Sequence, residues 1–305
     1  MHRLSTAPKA LLDQRTPIRI CEPRPSLVDP EAVQARSLTY NESNAQFNSL
    51  SLSVLVPVYN EKSVVEESLK RLLELDHFLI NRLEVIVVDD RSTDGTWEIL
   101  QRLAGEDDRI VLLRNERNLG KGGALRTAIA HATGDVAVPH DADLECNPTD
   151  IPSLLVPFVK EKADAVFGSR YLPGNPYRRV LTKRHTAINK VLTSISNWLT
   201  DLNLSDMETC YKAVRTDLLK SIPLRSNDFR FEVEITFKLA KRDIKMFEVP
   251  IHYSPRSRAE GKKMRAKDGI LALICMLRFW LTDDHYVKDE SVSPVLSESE
   301  AQASL

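Results

Sequence analysis

The sequence predicts an α/β fold, a parallel sheet with helices over both faces. Three observations predict it. Short apolar runs alternate with stretches of helical periodicity, as in successive strand–helix–strand units. The runs are continuously apolar rather than alternating, as strands buried on both sides require. The residues that follow them are polar and would gather on one edge of such a sheet, beyond the carboxyl ends of the strands, where open α/β sheets bind ligands.

The elements follow in order. Residues 52–58 (LSVLVPV) are the first apolar run, and Val64, Val65, Leu69, Leu72 and Leu73 then recur at helical spacing. Residues 83–89 (LEVIVVD) form the second run, followed by a helix that starts near Asp94. Residues 109–113 (RIVLL) are the third, a helix opens near Gly120, and 135–138 (DVAV) are the fourth. The second half is less regular. It offers a strand at 164–167 and a helix with Ile188, Val191, Leu192, Ile195 and Leu199 on one face. A helix at 231–241, a strand at 246–249 stopped by Pro250, and a strongly apolar helix at about 267–281 complete it.

These elements delimit one domain at 49–284 within the 305 residues. Residues 1–48, interrupted by Pro8, Pro17, Pro23, Pro25 and Pro30, are expected to be a disordered leader, and the Ser- and Glu-rich 285–305 a disordered tail. Hydrophobic residues make up 42% of the chain and charged residues 28%, so there is enough apolar surface for a substantial core. A net charge of -1 provides no global field for nucleic acid, so no nucleic-acid partner is expected. Cys21, Cys146, Cys210 and Cys275 have neither zinc-site nor disulfide-framework spacing, which points to a reducing, cytoplasmic setting. The longest apolar run, 270–277, falls short of the ~20 residues a spanning helix needs.

The chemistry is expected after the runs. Asp141 and Asp143, two apart in a loop, can bring two hard oxygen donors to one Mg²⁺ or Mn²⁺. An Asp-rich turn ahead of Asn147 and Pro148 is the plain alternative, and the position behind the fourth buried run favours the metal. Gly120-Lys121-Gly122-Gly123 opens a helix whose free N–H groups suit phosphate, or simply makes a tight turn. It has no Walker spacing, and no GxGxxG follows the first run, so neither a P-loop nor a dinucleotide fold is supported. One of Asp89 and Asp90 can accept from a base or ribose, while Ser92 and Asp94 read as helix caps. Arg170 and the basic stretch 256–265 are candidate phosphate partners. The histidines have no metal-ligand spacing, and Trp198 and Trp280 read as core or interface residues.

Five pieces in order resemble glycosyltransferase family 2: VPVYNE at 56–61, VVDDRSTDGT at 87–96, NLGKGG at 118–123, DAD at 141–143 and GSRY at 168–171. SDMETCYK at 205–212, RFEVEI at 230–235, EVPIHY at 248–253 and EGKK at 260–263 resemble its polyprenyl-phosphate branch, which includes the dolichol-phosphate mannose synthases. The resemblance covers about 52–280 and implies a GT-A fold, Rossmann-like, with a mixed, mostly parallel sheet flanked by helices. It implies an inverting hexosyltransferase that uses a GDP- or UDP-hexose donor, mannose or glucose, with a polyprenyl phosphate acceptor. By position, Pro57, Tyr59, Glu61, Val88 and Asp90 would hold the nucleoside, and Asp141, Ala142 and Asp143 the metal and diphosphate. Glu145 stands where related synthases carry Gln at the metal. Lys121, Arg170, Arg256 and Lys262 would meet phosphates, while Asp206 and Glu232 would lie near sugar or acceptor, with Asp206 the base for a hydroxyl acceptor. Some relatives carry C-terminal membrane spans. Here the 267–281 helix would either lie peripherally on the cytoplasmic membrane face, or reach a membrane-protein partner, or else pack on the core or pair with another subunit. A soluble saccharide acceptor is the alternative enzyme, and a non-catalytic nucleotide-sugar-binding protein the alternative outside enzymes.

Overall fold

The computed structural model describes residues 49–175, 179–255 and 266–282, all within the compact unit Phe47–Leu305. The leader at 1–48, the tail at 285–305 and the basic stretch 256–265 with Arg256 and Lys262 lie outside the described residues.

Seven strands form one sheet in the order β3-β2-β1-β4-β6-β5-β7. They are β1 (Leu50–Val58), β2 (Ile80–Asp89), β3 (Ile110–Arg114), β4 (Val136–Pro139), β5 (Ala165–Ser169), β6 (Lys212–Arg215) and β7 (Met246–Pro250). The helices are α1 (Val65–Leu73), α2 (Thr96–Glu106), α3 (Lys121–His131), α4 (Ile151–Lys160), α5 (Lys183–Thr200), α6 (Thr216–Ser221), α7 (Phe231–Ala240) and α8 (Ala266–Leu281).

The sheet is mixed and mostly parallel, as the family resemblance implies. β6 runs antiparallel between β4 and β5, while the other pairs are parallel. The four residues of β6, buried through Lys212–Ala213–Val214, are too few and carry a charged residue at each end, so they do not stand out as an apolar run. α4 and α6 were likewise not legible as separate periodic segments.

Both faces of the sheet are covered. From β1, Leu52, Val54, Val56 and Val58 face one way, onto Val65, Leu69 and Leu72 of α1 and Leu154, Leu155 and Phe158 of α4. Leu55 faces the other way, onto Ala124, Leu125 and Ala128 of α3 and Phe231, Ile235 and Leu239 of α7. Each such fully buried aliphatic or aromatic side chain contributes about 1.5–3 kcal/mol. The pleat's period of two divides a continuous apolar run between these two cores. On its wet face α1 carries Glu66–Lys70 and Glu67–Arg71 pairs one turn apart, exposed ion pairs that add little to stability.

α8 packs Ala272, Cys275, Met276 and Phe279 against Leu192 of α5 and Val233 and Phe237 of α7. Its other side leaves Leu271, Ile274, Leu277, Trp280 and Leu281 exposed. Of the face expected on α5, only Leu192 is buried; Ile188 and Val191 are exposed, as is Trp198, which is therefore not a core residue. Among the described residues, no helix is long and apolar enough to cross a membrane.

Candidate active site

The carboxyl ends of β1, β2 and β4 turn sharply. Asn60 (φ 52°), Arg91 (φ 67°) and Leu144 (φ 62°) take up left-handed backbone just beyond them, a conformation that costs energy and is concentrated at functional loops. The loops enclose a cleft of about 340 Å³. Pro57, Tyr59 and Glu61 come to it from β1, Asp90 from β2, and Lys121 from the start of α3. Asp141, Ala142, Asp143 and Glu145 come from the loop after β4, and Arg170 from beyond β5. Residues scattered over 114 positions thus share one wall, because parallel strands deliver their ends to the same edge.

Asp89 and Asp90 are both buried and have divided their work. Asp89 accepts from the Ser92 N–H and pairs with Arg114 at 2.9 Å. Asp90 accepts from the backbone N–H groups of Leu119 (2.8 Å) and Gly120 (2.7 Å) and from Asn115 Nδ2 (2.8 Å). It therefore anchors the turn into α3. Gly120 has φ +82°, and a Cβ there would meet the Asn227 carbonyl oxygen at 2.3 Å, so only glycine fits. Asp94 does hold the start of α2, accepting from Thr96 N at 3.0 Å. Ser92, expected to cap a helix, instead accepts from Asn60 N and ties the β1 and β2 loops together. Val88 does not line the cleft; its side chain lies in the core between sheet and α3.

Lys121 Nζ sits 2.8 Å from Asp141 and 3.1 Å from Glu232. Burial opposes its charge, but the two carboxylates more than offset that and hold its pKa well above the ordinary lysine value. Glu232 also pairs with the fully buried Lys212 at 2.6 Å. Asp141, Glu232, Lys121 and Lys212 thus form a chain of alternating charge under the cleft. Asp143 accepts from Glu145 N (3.0 Å), and Glu145 accepts from Tyr253 OH (2.6 Å).

Two of the expected site residues are bonded to each other. Arg170 lines the cleft, but its guanidinium is held by Asp206 through two bonds of 2.6 and 2.7 Å, so its charge is already countered. Asp206 is fully buried, also accepts from Arg170 N and Asn189 Nδ2, and does not line the cleft, so it is poorly placed to act as a base. Its neighbour Glu208 does line the cleft, as do Cys146, Cys210, Phe229 and Tyr253, which the reading of single motifs passed over. The Cys146 and Cys210 sulfurs lie 2.8 Å apart although the residues are 64 apart in the chain, which no spacing rule could reveal.

The oxygen donors Asp141, Asp143 and Glu145 suit a hard divalent ion. Among the described residues, no three such side chains converge closely enough to hold one unaided. Mg²⁺-type ions are commonly held by one or two carboxylates, with water and substrate phosphates completing the shell, so the donor set fits.

Residues 53–222 match the model of glycosyl transferase family 2. The chain is 30% identical over 221 residues to a dolichol-phosphate mannosyltransferase of Pyrococcus furiosus, covering 70% of this chain but only 59% of that relative. It is 32% identical over 214 residues to an undecaprenyl-phosphate mannosyltransferase of Micrococcus luteus, covering 68% of this chain and 85% of the relative. The fold resembles glucosyl-3-phosphoglycerate synthase from Mycobacterium tuberculosis, solved with Mn²⁺, UDP and phosphoglyceric acid. There the TM-score is 0.57 at 22% identity, over 77% of this chain and 80% of that one. The mixed, mostly parallel sheet is thus a GT-A fold.

Proposed function

The chain belongs to glycosyl transferase family 2, and from that premise we propose that it moves a hexosyl group, mannose or glucose, from a GDP- or UDP-sugar to a polyprenyl phosphate. The observation that carries this reading is the meeting, in one cleft, of the β1-end residues Pro57, Tyr59 and Glu61 with the carboxylates of Asp141 and Asp143. Pro57, Tyr59 and Glu61 flank the nucleoside, and the turn fixed by Asp90 sets the depth of that end. Asp141 and Asp143, with Glu145, would hold Mg²⁺ or Mn²⁺, which when bound supplies Lewis-acid stabilisation of the departing diphosphate. Lys121 places a fixed ammonium beside Asp141 and is positioned for the diphosphate.

The outward apolar side of α8, with Ile188, Val191 and Trp198 of α5, supports a peripheral seat on a membrane that carries the lipid. No nucleic-acid partner is proposed.

The test is transfer from labelled GDP-mannose or UDP-glucose, with Mn²⁺, to undecaprenyl phosphate in detergent. The label should enter the organic phase, and EDTA or Asp143→Ala should abolish it while the circular dichroism spectrum is unchanged. Label found only on a soluble saccharide would establish the alternative acceptor. Tight donor binding with no product from any acceptor would establish a binding protein. Transfer indifferent to both EDTA and Asp143→Ala would refute the metal assignment.

A further inference from the structure

Glu208 lies two residues beyond Asp206, on the loop that leads into β6, and it lines the cleft. Four charged groups act on it: Lys212 of β6, Glu232 of α7, Arg170 beyond β5, and Asp206 of its own loop. The two cations are engaged elsewhere. Lys212 Nζ lies 2.6 Å from Glu232 and 2.5 Å from the Thr209 carbonyl oxygen, while Arg170 is gripped by Asp206. Glu208 Oε1 is left buried with no hydrogen-bond partner. A buried carboxylate oxygen without a donor is uncommon in a folded protein and calls for a reason. In a cleft wall, a ligand that brings the missing hydrogen is such a reason.

We propose that Glu208 is a further catalytic residue, the group that takes the proton from the acceptor phosphate as it attacks the sugar. This inference rests on the polyprenyl-phosphate reading above. A phosphate monoester in its monoanionic form carries one O–H, with a second pKa of about 6. Burial, opposed by Lys212 and Arg170 and reinforced by Glu232 and Asp206, pushes the Glu208 carboxyl up to about 7. The two groups are thus matched for sharing one proton, the condition under which proton transfer is most effective.

In the step, the phosphate O–H proton passes to Glu208, and a phosphate oxygen forms its bond to the anomeric carbon. The bond from that carbon to the diphosphate breaks, and its electron pair leaves on the nucleoside diphosphate. Glu208 releases the proton to water once the product has gone. The arrangement also avoids setting a phosphate dianion against an ionised carboxylate, because the proton on Glu208 then donates a hydrogen bond to the dianion.

Glu208→Gln tests this. Its amide keeps the shape of the side chain but cannot take up a proton. In the wild type, kcat/KM for undecaprenyl phosphate should fall on both sides of a maximum between pH 6 and 7. Two pH units above an ionisation near 7 the loss should be about a hundredfold. Glu208→Gln should lower kcat about a hundredfold at the wild-type optimum and lose the alkaline limb. Calorimetric affinity for the nucleoside diphosphate should be unchanged. An alkaline limb that persists in Glu208→Gln would overturn the proposal. If that variant fails to bind donor, Glu208→Asp decides the matter: a lowered kcat with the alkaline limb retained supports the role, and an unchanged kcat sinks it. A wild type that labels no lipid at any pH overturns the function reading, and this inference falls with it.

Discussion

Two glycine-to-alanine substitutions, chemically identical, should have opposite signs. Gly105 lies in the last turn of α2, and a Cβ placed there meets nothing within 4 Å. Alanine at that position only reduces the freedom of the unfolded chain and improves helix propensity. It should stabilise by about 0.5–1 kcal/mol. Gly122 lies in the first turn of α3, where a Cβ would meet the Ser226 carbonyl oxygen at 2.3 Å and its carbon at 3.0 Å. Both obstacles are backbone. They are further pinned by Arg126, which donates to Ser226 O at 2.5 Å and to Asn227 Oδ1 at 2.6 Å. Relief requires α3 or the 226–227 loop to retreat by about 1 Å, and overpacking of that size costs about 1–3 kcal/mol. In a domain of this length each kcal/mol lowers Tm by about 2–4 °C, so Gly122→Ala should melt about 2–12 °C below the wild type. The retreat also carries Lys121, next in the chain, away from Asp141 and Glu232. A displacement of about 1 Å near reacting groups can cost about a hundredfold in rate. Scanning calorimetry and transfer assays on both variants measure each effect. Gly122→Ala with wild-type Tm and wild-type turnover would show that the close approach of α3 to the 226–227 loop is not rigid, and the reasoning would fail.

Three further predictions follow from the charge network. Asp90→Asn turns an N–H₂ toward donors that now face a carboxylate; it should cost about 2–4 kcal/mol in urea denaturation and weaken nucleoside diphosphate binding in calorimetry. Lys212→Met strips Glu232 of one of its two ammonium partners and should cost about 3–5 kcal/mol, of which adding Glu232→Gln should restore part, read as a double-mutant cycle. His140 is buried between Ser68 and Tyr211, and burial, against the pull of Asp141 and with the push of Lys121, lowers its pKa to about 4. The unfolded chain protonates this histidine near its ordinary value of about 6.5 while the folded one stays neutral, so stability is full above that value and is lost as pH falls toward 4. Between pH 7 and 5 the metal-free protein should lose about 2 kcal/mol from this group alone; equal losses in wild type and His140→Gln would contradict this.

The strands β1 to β4 were legible because their sequences are continuously apolar, and a buried parallel strand leaves that mark in any context. The loops after them were legible for the same reason: once the strands are placed, their carboxyl ends are placed too. That is why Pro57, Tyr59, Glu61, Lys121, Asp141 and Asp143 could be assigned to one edge before any coordinates. β6 escaped because four residues that include a buried lysine carry no periodic signal. Arg170 and Asp206 were each named, but their bond to one another depends on a crossing between the end of β5 and the loop before β6 that no local pattern encodes.

Chain order and hydrophobicity by themselves determined the α/β architecture, the edge on which ligands gather and the acidic character of the loop after β4. These follow from local rules, the period of two in a strand and the length of a buried run. Tertiary structure alone decided which charges are spent and which are left over. Asp206 is consumed by Arg170, and Glu208, two residues away, is not. Whether a side chain has a partner depends on distances between segments far apart in sequence, and electrostatic energy changes steeply over the few ångströms that only folding fixes.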